Sequence, residues 1–312
     1  LMNTVQQPAS EIASTALVPE KHYQKIGGLR YFSSSLSSIL TPIIATAVYS
    51  FSGLEAVLTV DLLTFAVAFI TLIFFIRIPK QSAESTDLSL IKSAKSGLDF
   101  LKSHKQVLML IMYLSAINLV ASMYEAVLPA MVLSRKGGGT QALGAVSTCV
   151  GVATLIGSII ATLMPKPKSR RRVICLSLLF SMSTENFFLA FGQTPLLWCT
   201  GAVLGWILIP MMSANLDVIM RTKVPCDMQG RVYSARNTLQ FFTIPLGNFL
   251  GGLAVDTFAE PLMAAMPHNS LMCNIFGSGK GSGAALIFFI IGIMGVAVCL
   301  IFNSNKHIKE ID

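Results

Sequence analysis

The chain has 312 residues, 53% of them hydrophobic and 12% charged, with a formal net charge of +8 and a mean hydropathy of +0.68. Soluble domains carry about 25% charged residues, so this composition excludes an ordinary soluble fold and fits a chain dissolved largely in lipid. The six cysteines show no paired spacing, which argues against a disulfide framework or a zinc site; no metal or cofactor is expected.

A hydrocarbon core about 30 Å thick needs about 20 apolar residues per helical crossing. Eight such runs appear, so an all-α membrane fold is predicted. Residues 1–16 read as the tail of a further helix, and the chain, which starts at Leu1, is expected to be truncated there. Span A (Ser33 to Gly53) and span B (Leu54 to Ile78) follow, and residues 1–78 are expected to close one helix bundle. Residues 79–105 mix Ser, Lys and acids with Leu88, Ile91, Leu98 and Leu101, a spacing that suits an amphipathic linker helix on the membrane face. Residues 106–303 hold a six-span bundle: Gln106 to Leu133 (C), Gln141 to Met164 (D), Val173 to Gly192 (E), Leu196 to Met220 (F), Arg236 to Phe258 (G) and Gly283 to Phe302 (H). Residues 304–312 form a tail.

Of the 23 Lys and Arg, all but Arg135, Lys136 and Lys280 fall in one alternate set of segments. Basic residues beside spans are retained in the cytoplasm, which predicts cytoplasmic termini. The positive charge is thus a topology signal and not a nucleic-acid footprint.

Charges inside spans are costly and are functional candidates by default. Glu185 falls about 18 Å along span E at 1.5 Å per residue, near the midplane and beside Asn186; Glu125 lies in the outer part of span C and Asp61 one-third into span B. Low dielectric penalises a carboxylate, so each is a candidate to exchange a proton, or else a structural acid bonded to a neighbouring helix. The four histidines lie in loops, which argues against a buried His relay.

Small residues recur through span D at Gly144, Ser147, Gly151, Thr154 and Ser158, and GxxxG pairs stand at Gly201/Gly205 and Gly247/Gly251. Such stripes permit close helix approach, whether in a static bundle or one that rocks. Lys166, Lys168, Arg170, Arg171 and Arg172 read as a topology anchor or a cytoplasmic gate. Gly230-Arg231 reads as a turn with an anchor, or as a gate with Asp217 or Asp227 as partner.

A weak internal repeat places Leu17-Val18-Pro19 before span A and Lys223-Val224-Pro225 before span G, with Glu11 and Asp217 each seven residues before the Val. Together with Pro42, Asp61-Leu62-Leu63-Thr64-Phe65, Gly97-Leu98-Asp99-Phe100-Leu101, Asn118, Leu128-Pro129, Leu143-Gly144 through Ile156-Gly157-Ser158, and Gly230-Arg231-Val232 before Pro245-Leu246-Gly247, these motifs cover nearly the whole chain. On them the sequence resembles the major facilitator superfamily, in particular its bacterial macrolide and multidrug proton-antiporter branch. Gly27-Gly28 departs from the Ala-Asn usual there.

The resemblance implies helices five to twelve of a twelve-helix, two-bundle transporter in a bacterial plasma membrane, monomeric when full length. It implies proton-coupled efflux of a small amphipathic molecule by alternating access, with Gly157 and Pro245 among the packing residues. The alternatives are a transport-inactive fragment or membrane scaffold, and a membrane enzyme. The last lacks a catalytic constellation: there is no HExxH, and Gly277-Ser278-Gly279-Lys280-Gly281-Ser282 lacks the GK[ST] ending of a phosphate loop.

Overall fold

The computed structural model describes residues 19, 22–74, 90–267 and 269–311. Among them the regular structure is helical throughout: α1 (Tyr23–Phe74), α2 (Leu90–Ser103), α3 (Lys105–Ser134), α4 (Thr140–Leu163), α5 (Arg170–Phe191), α6 (Pro195–Trp206), α7 (Ile209–Lys223), α8 (Cys226–Leu253), a π-helical turn (Ala254–Ala259), α9 (Glu260–Ala265), α10 (Leu271–Phe276), α11 (Ser282–Ser304) and α12 (Lys306–Lys309). Among the described residues, six stretches are long and apolar enough to cross a membrane: Lys105–Ser134, Thr140–Leu163, Arg170–Phe191, Pro195–Lys223, Met228–Ala265 and Ser282–Ser304. These correspond to spans C to H.

Spans A and B behave differently from expectation. They run without a turn as the single 52-residue helix α1, about 78 Å long at 1.5 Å per residue. Gly53 was read as the boundary, but a glycine weakens a helix interior by only about 1 kcal/mol. No proline or polar loop follows it to force a turn. Residues 75–78 of span B lie outside the described residues, as do residues 1–18 with Leu17, Val18 and Glu11. The distal part of α1 exposes Leu62, Leu63, Phe65 and Val67.

Two prolines shape the bundle where the sequence reads as unbroken span. Pro210 lacks an N–H and crowds the preceding turn, and span F divides at residues 207–208 into α6 and α7. Pro261 occupies the first turn of α9, and the helix widens into the π-helical turn just before it. Pro129 and Pro245 sit inside α3 and α8 without ending them.

Apolar burial alone gives helices little reason to associate in lipid, so close backbone approach matters. α3 packs along α8, α5 along α11, α6 between α4 and α5, and α1 against α4 and α7. The amphipathic α2 docks on α8, burying Leu101 while Leu98 stays exposed. A Cβ at Gly97 would stand 2.8 Å from the Arg231 carbonyl oxygen. Trp198, Tyr113 and Phe288 are fully enclosed.

At the end bearing the α3–α4 loop, the buried Arg135 guanidinium donates from Nη1 to the Gly192 carbonyl at 2.7 Å and from Nη2 to that of Phe276. Trp198 Nε1 donates to the same Gly192 carbonyl at 2.8 Å. The carboxylate of Glu260 accepts from the Ala284 amide in the first turn of α11 at 3.1 Å, a favourable place for negative charge.

Candidate substrate and coupling site

The break in span F sits beside an internal cavity of about 200 Å³. Trp206 ends α6 and Ile209 begins α7, and both line it, opposite Asn118, Tyr124 and Glu125 of α3 and Met182, Glu185 and Asn186 of α5. Irregular backbone at membrane depth is tolerated where it lines such a cavity. The structure therefore brings Glu125 and Glu185 to one place, 60 residues apart in sequence.

Glu185 is buried. Its Oε1 accepts from Trp206 Nε1 at 2.7 Å, and its side chain lies against the bare backbone of Gly205: a Cβ there would meet Oε2 at 2.5 Å and the Glu185 Cβ at 2.6 Å. Gly201, one turn earlier, faces Phe188 Cβ at 2.7 Å from the same imagined position. Asn186 Nδ2 donates to the Met182 carbonyl at 2.8 Å, while its Oδ1 has no partner among the described residues; the Tyr124 hydroxyl faces the Glu185 carboxylate beside Trp206. Buried polar atoms left unbonded cost about 1–3 kcal/mol each. Here Asn186 Oδ1 offers an acceptor to a polar ligand. Glu125 is exposed at the rim.

Asp61 lies elsewhere. It is exposed on α1 and its carbonyl accepts from Thr64 Oγ1 at 2.9 Å, outside the lining of this cavity.

The basic end of the bundle holds a second polar constellation. Arg30 Nη2 pairs with Asp217 Oδ2 at 2.6 Å, joining α1 to α7. Arg170 Nη1 donates to Asn215 Oδ1 at 2.7 Å and to Gln24 Oε1 at 3.2 Å, and Gln24 Nε2 donates to the Met164 carbonyl at 3.0 Å. The Arg221 guanidinium lies 5.4 Å from the Tyr23 ring centroid. Arg171 Nη1 donates to Asn303 Oδ1 of α11 at 2.9 Å. Arg172 is exposed; its backbone amide donates to the Ser169 hydroxyl, which caps α5.

The sequence reading offered Arg231 as the partner of Asp217 or Asp227. In the structure Asp217 pairs with Arg30 of α1. Arg231 Nη1 donates to Met228 Sδ at 3.6 Å and forms no ion pair among the described residues. Gly230 accepts from Ser234 Oγ at 2.8 Å as the first turns of α8 form. The side chain of Asp227 lies outside the described residues.

Of the small residues singled out, Gly157 meets the Ile207 carbonyl at the break in span F. Gly247 and Gly251 meet α3, where a Cβ would come within 2.5 Å of the Leu119 carbonyl oxygen and 2.9 Å of that of Met123. Gly144 has open space at its Cβ position, Gly151 is half-buried, and Pro245 is exposed. Gly27 and Gly28 have a packing reason that the spacing argument did not reach. A Cβ at Gly27 would be 2.9 Å from Ala214 Cα, and one at Gly28 would collide with Thr162.

Sequence reasoning missed Trp206, Tyr124 and Arg30. The available signal was Pro210, a helix breaker four residues past an indole in an apolar run. Arg30 carried none, since its partner is 187 residues away.

Apolar helices around a broken span and an acid-bearing cavity define a multi-pass membrane protein with the architecture of a transporter bundle. The chain belongs to the Major Facilitator Superfamily, whose family model matches residues 1–248. Macrolide efflux protein A of Streptococcus pyogenes is 24% identical over 254 residues, covering 80% of this chain and 62% of that protein. The protein of the same name from Enterococcus faecalis is 24% identical over 245 residues, covering 77% and 75%. The Uncharacterized MFS-type transporter YfiS of Bacillus subtilis (strain 168) is 22% identical over 321 residues, covering 97% and 68%. The chain thus spans less than two thirds of the Streptococcus relative's length.

Proposed function

We propose that this chain forms part of a proton-coupled exporter of a small amphipathic molecule, a drug or secondary metabolite, working by alternating access in a bacterial plasma membrane. The observation that carries the reading is the pairing of Glu125 and Glu185 around one cavity at the break of span F. Superfamily membership supports transport, and the printed names of the Streptococcus and Enterococcus relatives support efflux of a macrolide-like compound.

The mechanism follows from the two acids' surroundings. Glu185 is enclosed, with Trp206 donating to it and the Tyr124 hydroxyl facing it, whereas Glu125 stands at the rim. A proton taken at Glu125 from water can pass to Glu185 through the polar lining. A cationic substrate entering the cavity then competes with that proton for the carboxylate. Tyr124 and Asn186 supply hydrogen bonds that orient the substrate, and Met182, Met212 and Ile291 the apolar contact. The Arg30–Asp217 pair and the Arg170–Gln24–Asn215 bonds hold α1 to α7 and α5 at the basic end, and they would part when that end opens. Monomeric action and cytoplasmic termini complete the proposal.

The test is proton release on binding of a macrolide by the purified chain in lightly buffered detergent. Release is expected in the unaltered chain and in Asp61→Asn, and is expected to vanish in Glu185→Gln with binding retained. Undiminished release in Glu185→Gln and in the Glu125→Gln/Glu185→Gln double variant would return both acids to a structural role.

A further inference from the structure

A larger cavity, of about 850 Å³, opens at the basic end of the bundle between the start of α1, the α4–α5 loop and the end of α7. Lys25, Lys166, Lys168, Arg170 and Lys223 line it, and none of the described residues lining it is acidic. Among the described residues, no carboxylate forms an ion pair with any of the four lysines.

A topology anchor requires only that basic residues lie somewhere along the membrane edge. Here they come from three separate segments and converge on one concavity. Pro165 and Pro167 flank Lys166; each fixes its own φ and removes an amide donor, which restricts the loop between α4 and α5. Lys166 and Lys168 of that loop line the cavity together with Lys25 and Lys223. Gln24, Thr162 and Thr222 add hydrogen-bonding groups beside the charges, and Leu163, Met164 and Val218 form an apolar border. Leu163, at 78% exposed, is the outermost apolar residue of that border.

We propose that this cavity is a binding site for a phosphate group. Clustered like charges in a walled recess focus a positive potential, and lysines act as point-charge binders of phosphate. Two sources carry that chemistry: the headgroup of an anionic phospholipid, whose acyl chains would run along Leu163 and Met164, and a soluble phosphate anion. Basic pockets between helix ends at a membrane surface suit the first. The site is separate from the Glu125–Glu185 cavity, and its occupancy does not depend on transport.

The experiment measures thermal stability and native-mass binding of the detergent-solubilised 312-residue chain with phosphatidylglycerol, with zwitterionic phosphatidylcholine, or with inorganic pyrophosphate. The cavity variant is Lys25→Ala/Lys166→Ala/Lys168→Ala/Lys223→Ala; all four lysines are exposed. Arg170 is kept because it bonds Gln24 and Asn215. The control removes as many exposed charges outside the cavity: Lys95→Ala/Lys102→Ala/Lys105→Ala/Lys306→Ala. Phosphatidylglycerol is expected to raise the melting temperature of the unaltered chain and the control, and to bind the cavity variant at least tenfold more weakly. Phosphatidylcholine is expected to give no shift. A shift from pyrophosphate alone, lost in the cavity variant, supports the site and assigns it to a soluble phosphate. Equal lipid binding by the cavity and control variants overturns the proposal, as does the absence of a shift with every probe. Should the fourfold variant melt early without ligand, Lys166→Ala/Lys168→Ala, confined to the loop, gives the same comparison.

Discussion

The carboxyl group of Glu185 rests on the backbone of Gly205, where a Cβ would stand 2.5 Å from Oε2. Two helices next to each other in sequence, α5 and α6, therefore approach closely where the charge-bearing side chain of Glu185 meets a residue without one.

Gly205→Ala should push Glu185 out of place and cost about 1–3 kcal/mol of stability, the usual penalty for overpacking. Gly144→Ala, with nothing near its Cβ position, should stay within about 0.5 kcal/mol. Thermal melts of both variants in one detergent provide the check, and equal losses would contradict the local geometry.

Trp206→Phe keeps an aromatic side chain and removes the 2.7 Å donor to Glu185 Oε1. An acceptor left without its donor costs about 1–3 kcal/mol. The variant should melt earlier and bind a cationic macrolide with altered affinity, while Trp198→Phe should lower stability without changing that affinity. Isothermal titration of both resolves the two effects.

Arg30 and Asp217 should be energetically coupled. The Arg30 side chain is 40% exposed and that of Asp217 9%, so solvent screening limits the pair to about 0.5–1 kcal/mol. In a double-mutant cycle with Arg30→Gln and Asp217→Asn, the second substitution should cost less once the first is made. Strict additivity would show that the ion pair does not hold α1 to α7.

The branch's usual residue at position 28, Asn, should not be tolerated. A Cβ at Gly28 would collide with Thr162, so Gly28→Asn should separate α1 from α4, and Thr162→Gly should partly rescue it. Cross-linking yield between cysteines introduced on α1 and α4 reports the separation.

The orientation read from basic residues can be tested by labelling with an impermeant maleimide. Cys226 is exposed, but Cys273, the natural reporter for the other side, is buried. Lys280→Cys, in the exposed loop before α11, should label in intact cells, and Cys226 only after permeabilisation. The reverse order would invert the topology.

Much of this architecture was readable from the residues. Spans C to H stood out because long apolar runs end at charged or capping residues such as Ser169 and Arg135. Glu125 and Glu185 were visible because an acid in such a run is conspicuous. The division of span F was not, since Pro210 sits among Ile and Leu that favour a continuous helix. Gly53 misled in the opposite sense: it was read as a boundary, yet α1 runs straight through it. Trp206 looked like any aromatic residue in an apolar helix, because a hydrogen bond to a carboxylate leaves no trace in spacing. The pairing of Arg30 with Asp217 is set by how α1 lies across α7, which local sequence does not encode.

One oxygen at the far end of the bundle has a mechanical consequence. The Gly192 carbonyl accepts from both Arg135 and Trp198, but the two donors are tethered differently. Trp198 sits six residues downstream, so its bond travels with the α5–α6 hairpin as a rigid unit. Arg135 reaches in from the end of α3, and its other hydrogen bond goes to the carbonyl of Phe276, the last residue of α10. Moving α3 away from α5 at this end would break the Arg135–Gly192 bond and leave the Trp198–Gly192 bond whole, so one carbonyl oxygen carries a bond that spans helices and a bond that does not.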